Sequence, residues 1–367
     1  MNEMARYFEG NDSPALGLAS GLAAGLVGAW VMTEFQALLA RANITSGVSG
    51  RPSTEKAADR LSTFVSGRPV RRSMRPVAGE AVHYGFGGLV GGLYGLAADL
   101  DRRVTVGKGA AFGVAAATVV DETLVPAFGL GDPVWKAPVV SHPYSYASHL
   151  VFGASTEGAR KFLRRFLGEA KAGMQVLKTG APRPKLEAEG QGRWRTLGLA
   201  FMLGATGGPR TSAPLLAATW AARLGWIDLK GSRLSWLASP KAAWVVTPMA
   251  VGELVADKLP STPHRTEPGG VAARAVTGAV SGAALTGGRS LAPALAGAAG
   301  AIAATYIGHT IRTRVSRSTG KDWPVAGAED ILAIGGAFLV CLAALAPAET
   351  RRPSPSRRRI HGIVDAK

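Results

Sequence analysis

Seven ionisable residues interrupt the apolar stretches of the N-terminal half: Glu34, Glu80, His83, Asp121, Glu122, His149 and Glu157. Such groups are costly inside a bilayer, about 2.5 kcal/mol or more each at its centre, so each needs a partner or water. Carboxylates beside imidazoles, which take and lose protons near neutral pH, make a proton or cation pathway one chemistry this set could support. Glu80-x-x-His83 also has the spacing of helical di-iron carboxylate sites, which require two such motifs and two further Glu. A single motif is present. A metal or haem held by Glu80, His83, Asp121, Glu122 and His149 is therefore a second reading, and interhelical hydrogen bonding without ligand is a third. Glu80 and His83, about one turn apart, are expected to face the same neighbour and to meet Asp121, Glu122 or His149 there.

A second set lies in the C-terminal half. Arg210 follows Gly207-Gly208-Pro209 in the middle of an apolar run. Proline and paired glycines break a helix there, giving a kink or two half-helices. The N-terminus of a half-helix presents unbonded N–H groups and, with Arg210, would favour a carboxylate or phosphate. The competing expectation is that Arg210 pairs with Glu253, Asp257, Glu329 or Asp330 and ties helices together. Asp257-Lys258 and Arg274 are expected to mark membrane edges.

The elements that position these groups are helices. Of 367 residues, 47 % are hydrophobic and 18 % charged, and 48 are glycine. That balance suits packed transmembrane helices better than a soluble enzyme. Candidate spans cover 16–40, 77–100 and 104–130, the last kinked at Pro126, with a shorter segment over 145–166. Further candidates are 196–225, 242–259, 271–285, 291–311 and 324–347, giving eight or nine membrane segments. Gly17, Gly21 and Gly25, and likewise Gly87, Gly91 and Gly95, make smooth stripes for close helix approach. Residues 53–64 form a short amphipathic helix suited to the membrane surface.

The net charge is +17, yet its cations flank apolar segments as in the positive-inside pattern, and no nucleic-acid-binding motif accompanies them. Nucleic acid is not an expected partner. The bilayer is, and a second copy or another membrane protein could join it. Between Arg160 and Arg195 stand ten Lys/Arg against three acids. This stretch reads as a basic linker, 167–195, on the cytoplasmic side. It divides the chain into a membrane domain over 1–166 and another over 196–348, before a basic, disordered tail at 349–367. The basic loop 41–76 and the tail lie an odd number of spans from the linker, so charge alone assigns the termini no side. Cys341, the single cysteine, lies in an apolar run and excludes an intrachain disulfide or thiolate cluster.

The order of His83, the glycine-spaced helix, Pro126-Ala-Phe-Gly-Leu and "SHLVFGASTEGARKFLRR" resembles the YagU-like family of bacterial inner-membrane proteins (domain of unknown function 1440), over about 16–166. "ARLGWIDL", "GELVADKLP" and "DWPVAGAEDILAI" resemble a second integral-membrane family (domain of unknown function 4126), over about 196–347. The resemblances imply a multi-pass protein of the bacterial inner membrane and bring no reaction with them. The reading is an all-α, polytopic membrane protein of two helical bundles. It passes or senses a small solute, ion or proton, and is not predicted to carry a cofactor. The alternatives are a metal- or haem-containing membrane oxidoreductase and a non-catalytic scaffold.

Overall fold

The computed structural model describes residues 14–44, 51–181, 186, 192–256, 266–319 and 323–346. Asp257, Lys258 and the tail fall outside the described residues. The fold is all-α, and among the described residues there is no strand.

The first bundle is built on α1 (Pro14–Arg41) and α3 (Arg75–Leu100). Their glycine stripes face each other. A Cβ added to Gly21 would fall on the Gly91 carbonyl oxygen, one on Gly25 on that of Gly87, and one on Gly95 on that of Gly17. Each glycine costs a helix about 1 kcal/mol against alanine; backbone-to-backbone contact offsets that here.

Between α1 and α3, α2 (Ser53–Ser66) lies against α3 and stops at Gly67, whose φ of +70° suits glycine. Asp59 anchors it, accepting from Arg51 at 2.7 Å, Arg75 at 3.2 Å and the Val70 amide at 3.1 Å. Leu61, Phe64 and Val65 remain exposed, as a helix resting on lipid requires.

Helix α4 begins as Ala110–Ala116, widens into a π-helical segment over Ala117–Leu124, and closes with the turn Val125–Ala127. The expected kink at Pro126 is instead a helix end, with the widening ahead of it. Helix α5 (Ser141–Thr179) runs unbroken for 39 residues. Half of the stretch expected as a basic linker is therefore the end of this helix.

In the second bundle the run from 196 to 225 is two half-helices, α6 (Arg193–Ala205) and α7 (Ala213–Arg223), separated at Gly207-Gly208-Pro209-Arg210. Helices α8 (Pro240–Ala256), α9 (Pro268–Leu285), α10 (Leu291–Thr319) and α11 (Trp323–Ala344) complete it. Gly297 of α10 abuts Gly204 of α6 and both Gly278 and Gly282 of α9, close enough that side chains there would collide with backbone.

The cores are made largely of Ala, Gly and Ser, while large apolar residues such as Trp244 (80 % exposed), Ile331, Leu332, Leu291 and Leu93 cover the outside. This inverts the soluble pattern and suits helices that meet lipid at their rims and each other through small residues. Pro14–Arg41, Arg103–Ala127 and Leu291–Thr310 are long and apolar enough to cross a membrane. That is three among the described residues, against eight or nine expected. Helices α7 and α8, at 11 and 17 residues, are short of the ~20 a crossing needs.

The two bundles touch through α5 and α11. Gly173 lies against the Leu342 carbonyl. Arg195 donates to the Ala343 carbonyl at 2.6 Å and that of Ala346 at 3.2 Å, and pairs with Glu169 at 2.9 Å.

Candidate functional site

The π-helical segment of α4 brings two consecutive carboxylates to α5. On an α-helix neighbouring side chains diverge by about 100°, whereas a π-bulge locally widens and underwinds the helix and re-aims them. Thr123 Oγ1 donates five residues back to the Thr118 carbonyl at 2.8 Å, in keeping with that geometry. Both Glu122 oxygens lie 2.9 Å from His142 Nδ1. Asp121 Oδ2 accepts the Ser145 hydroxyl at 2.5 Å and lies 3.6 Å from His149 Nδ1.

His142 and His149 stand seven residues apart, two turns of α5, and so share a face. His149 is buried, and its Nδ1 is 3.0 Å from the Ser145 carbonyl. A carbonyl only accepts, so Nδ1 carries a hydrogen. His142 was not among the expected residues; its signal was the seven-residue spacing to His149 opposite two adjacent acids.

His83 turns toward α1. Its Nε2 is 3.3 Å from both the Ala29 carbonyl and Thr33 Oγ1, while Thr33 itself donates to the Ala29 carbonyl at 3.0 Å. Asp121 and His149 lie within coulombic range of His83, but its hydrogen bonds go to α1. His83 was expected to approach Asp121, Glu122 or His149; among the described residues no hydrogen bond joins it to them. Glu80 is exposed and does not share the α1-facing side with His83. Three helical residues leave about 60° between side chains, enough here to turn one inward and the other out. Glu34 follows Thr33 on α1 and is half-buried.

Glu157 belongs to a separate cluster at the other end of the bundle. It is 1 % exposed and accepts from the Tyr94 hydroxyl at 3.0 Å, from Arg160 at 2.7 and 3.1 Å, and pairs with Lys161 at 3.0 Å. Asp99 extends it, 3.6 Å from Arg160 and 2.8 Å from Arg164. Arg160 reads in sequence as a flanking cation; it is buried against the Tyr94 ring. Its partner Glu157, three residues earlier on the same helix, was the available signal.

In the second bundle the helix break is closed by the protein's own groups. Glu253 of α8 places its carboxylate at the start of α7, accepting the Thr211 and Ser212 amides at 2.7 and 2.8 Å and the Ser212 hydroxyl at 2.5 Å. The anion expected at this half-helix N-terminus is thus an internal one. Arg210, 1 % exposed, pairs with Asp330 of α11. Arg274, expected at a membrane edge, is buried and donates to the Gly208 carbonyl at 3.1 Å, where the broken turn leaves an acceptor without a helical donor. Glu329 pairs with Arg312 at 3.2 Å.

Among the described residues no three His, Cys, Asp or Glu side chains stand close enough to hold one metal ion.

Residues 69–158 match a family described as a protein of unknown function (DUF1440), and residues 197–348 match a domain of unknown function (DUF4126). These are the two families the sequence resembles, in the same order. No curated protein and no solved structure matches the chain.

Proposed function

We propose that this chain is a multi-pass protein of the bacterial inner membrane whose first bundle takes up and releases protons, passing or sensing them, at the Asp121–His149 and Glu122–His142 pairs. The observation that carries this reading is the π-helical segment, which aims two adjacent carboxylates at two histidines on the facing helix. A carboxylate beside an imidazole nitrogen gives a proton two sites of comparable affinity, and the second ring nitrogen offers an entry or exit. π-Segments interrupt helices preferentially at functional sites. The basic stretch 167–195 faces the cytoplasm in this reading.

The scaffold reading draws on the second bundle, where Glu253, Arg210 and Arg274 are all occupied with backbone or one another's helices. We assign that half a structural role.

Infrared difference spectra of the purified protein between acid and neutral buffer test the proposal. A carboxylic-acid C=O band should come and go with pH and should lose intensity in Asp121→Asn and Glu122→Gln. An unaltered spectrum in both variants, with both folded, rejects proton exchange at the pairs and leaves the scaffold.

A further inference from the structure

Following α5 along its buried face, the polar side chains do not stop at the acid–histidine pairs. His142, Ser145, Ser148 and His149 are followed, past Phe152, by Thr156, Glu157, Arg160 and Arg164. All sit at three- and four-residue steps, which superpose on one side of a helix. From His142 to Arg164 the rise is about 33 Å at ~1.5 Å per residue, close to the ~30 Å of a bilayer's hydrocarbon.

We propose that this face is a proton route through the first bundle and that Phe152 is the constriction closing it. The proposal rests on the proton-exchange reading of the two acid–histidine pairs.

The ring of Phe152 is where four helices meet. It lies within reach of a Cβ built on Gly28 of α1 or on Gly87 of α3, and its centroid is 5.6 Å from that of Phe112 on α4. Phe112 in turn stacks on Tyr94 of α3 at 4.1 Å, and the Tyr94 hydroxyl reaches Glu157. Three aromatic rings therefore separate the acid–histidine end from the Glu157–Arg160–Asp99 end.

The second observation is a pair of hydroxyls. Ser148 and Thr156, each 0 % exposed, stand one turn before and one turn after Phe152, and neither side-chain oxygen has a hydrogen-bond partner. Ser155 of the same helix bonds back to the Val151 carbonyl at 2.6 Å, the usual arrangement for a helical serine. Thr156 instead aims its hydroxyl at the surface of Gly28, across the α1–α5 interface. A buried hydroxyl left unpaired costs about 1–3 kcal/mol. Hydroxyls on both sides of an apolar ring fit a broken chain of water, continuous only when the ring moves. Apolar constrictions gate in this way, by excluding water. A proton accepted at the histidine end is matched by one handed to water beyond Thr156, so no bond is made or broken in the protein overall; the Glu157–Arg160–Lys161 cluster lines that end without taking the proton.

The test is proton entry into vesicles holding the full chain and a trapped pH dye, with the membrane potential clamped by potassium and valinomycin. Phe152→Ala should pass protons about tenfold faster than the unmodified protein, a barrier lower by about 1.4 kcal/mol. Adding Ser148→Ala and Thr156→Val to Phe152→Ala should return the rate toward the starting value. Phe152→Ala passing protons no faster than the unmodified protein overturns the route; if that variant does not fold, Phe152→Val decides by the same criterion. An infrared band from Asp121 or Glu122 together with unaltered flux rejects the route alone. A spectrum of the unmodified protein with no pH-dependent band that Asp121→Asn or Glu122→Gln alters rejects the exchange reading beneath it.

Discussion

Asp121 and Glu122 in the first bundle, and Glu253 and Asp330 in the second, are all carboxylates set into apolar helices, yet they meet different partners. Asp121 and Glu122 face imidazoles, which can take a proton from them or give one back. Glu253 accepts two amides and a hydroxyl, and Asp330 holds a guanidinium. Neither an amide nor a guanidinium releases a proton at physiological pH. The identity of the partner, and not the burial of the acid, separates the carboxylates set against imidazoles from those that fasten helices.

The largest effect expected from this contrast is in the second bundle. Asp330→Ala removes the carboxylate beside a guanidinium that is 1 % exposed, and should cost about 3–5 kcal/mol of stability. Thermal unfolding in detergent measures it; a change under about 1 kcal/mol would show that α11 does not depend on this pair. Gly91→Leu comes next, at about 3 kcal/mol, because even its Cβ would press on the Gly25 backbone. It should separate α1 from α3 and leave the second bundle folded, which limited proteolysis can resolve.

Glu253→Gln and Glu122→Gln sharpen the comparison directly. The first weakens a charged cap and should cost about 2 kcal/mol. The second loosens a partly buried pair whose partner is not a permanent cation and should cost less, about 1 kcal/mol, while altering the infrared spectrum. Equal losses of stability in the two variants would remove the distinction between the bundles.

The smallest effect concerns Asp59. The hydrogen bond from Arg51, against a smaller cost of burial, holds its carboxyl below the ordinary aspartate range, with Arg51 and Arg75 charges adding to it. A depressed value means that its contribution is complete above about pH 4, the ordinary aspartate range, and fades as pH falls through the folded value. Hydrogen exchange of α2 should therefore differ between Asp59→Asn and the unmodified protein at neutral pH, and the difference should shrink as the pH falls below the ordinary aspartate range. A difference that persists in acid would place the anchor of α2 elsewhere.

Helical class, glycine stripes and the break at 207–210 were legible in the sequence because each depends on residues within a turn or two of one another. Asp330 was one of four acids expected for Arg210, but which of them it meets, and that Glu253 caps α7 instead, was not legible, since these acids and their donors lie more than forty residues apart and depend on how α8 and α11 fold back. His142 was overlooked because it precedes Pro143 at what reads as a loop. Its position on α5 becomes visible only when the helix is known to begin at Ser141. Asp121 and Glu122 are both candidates in the sequence, but how two adjacent residues could both reach α5 depends on the π-segment, which has no sequence signature. Arg160 and Arg274 looked like interfacial cations because sequence gives charge without burial.

Helix α5 carries His142 near its first turn and Gly173 near its last, and Gly173 bears on the backbone of α11, the helix that holds Asp330. At about 1.5 Å per residue its 39 residues make a rod of some 58 Å. A lever of that length converts a tilt of a few degrees at the acid–histidine end into a displacement of several ångströms at the other. There, a glycine with no side chain to cushion the contact would press the motion straight onto its neighbour.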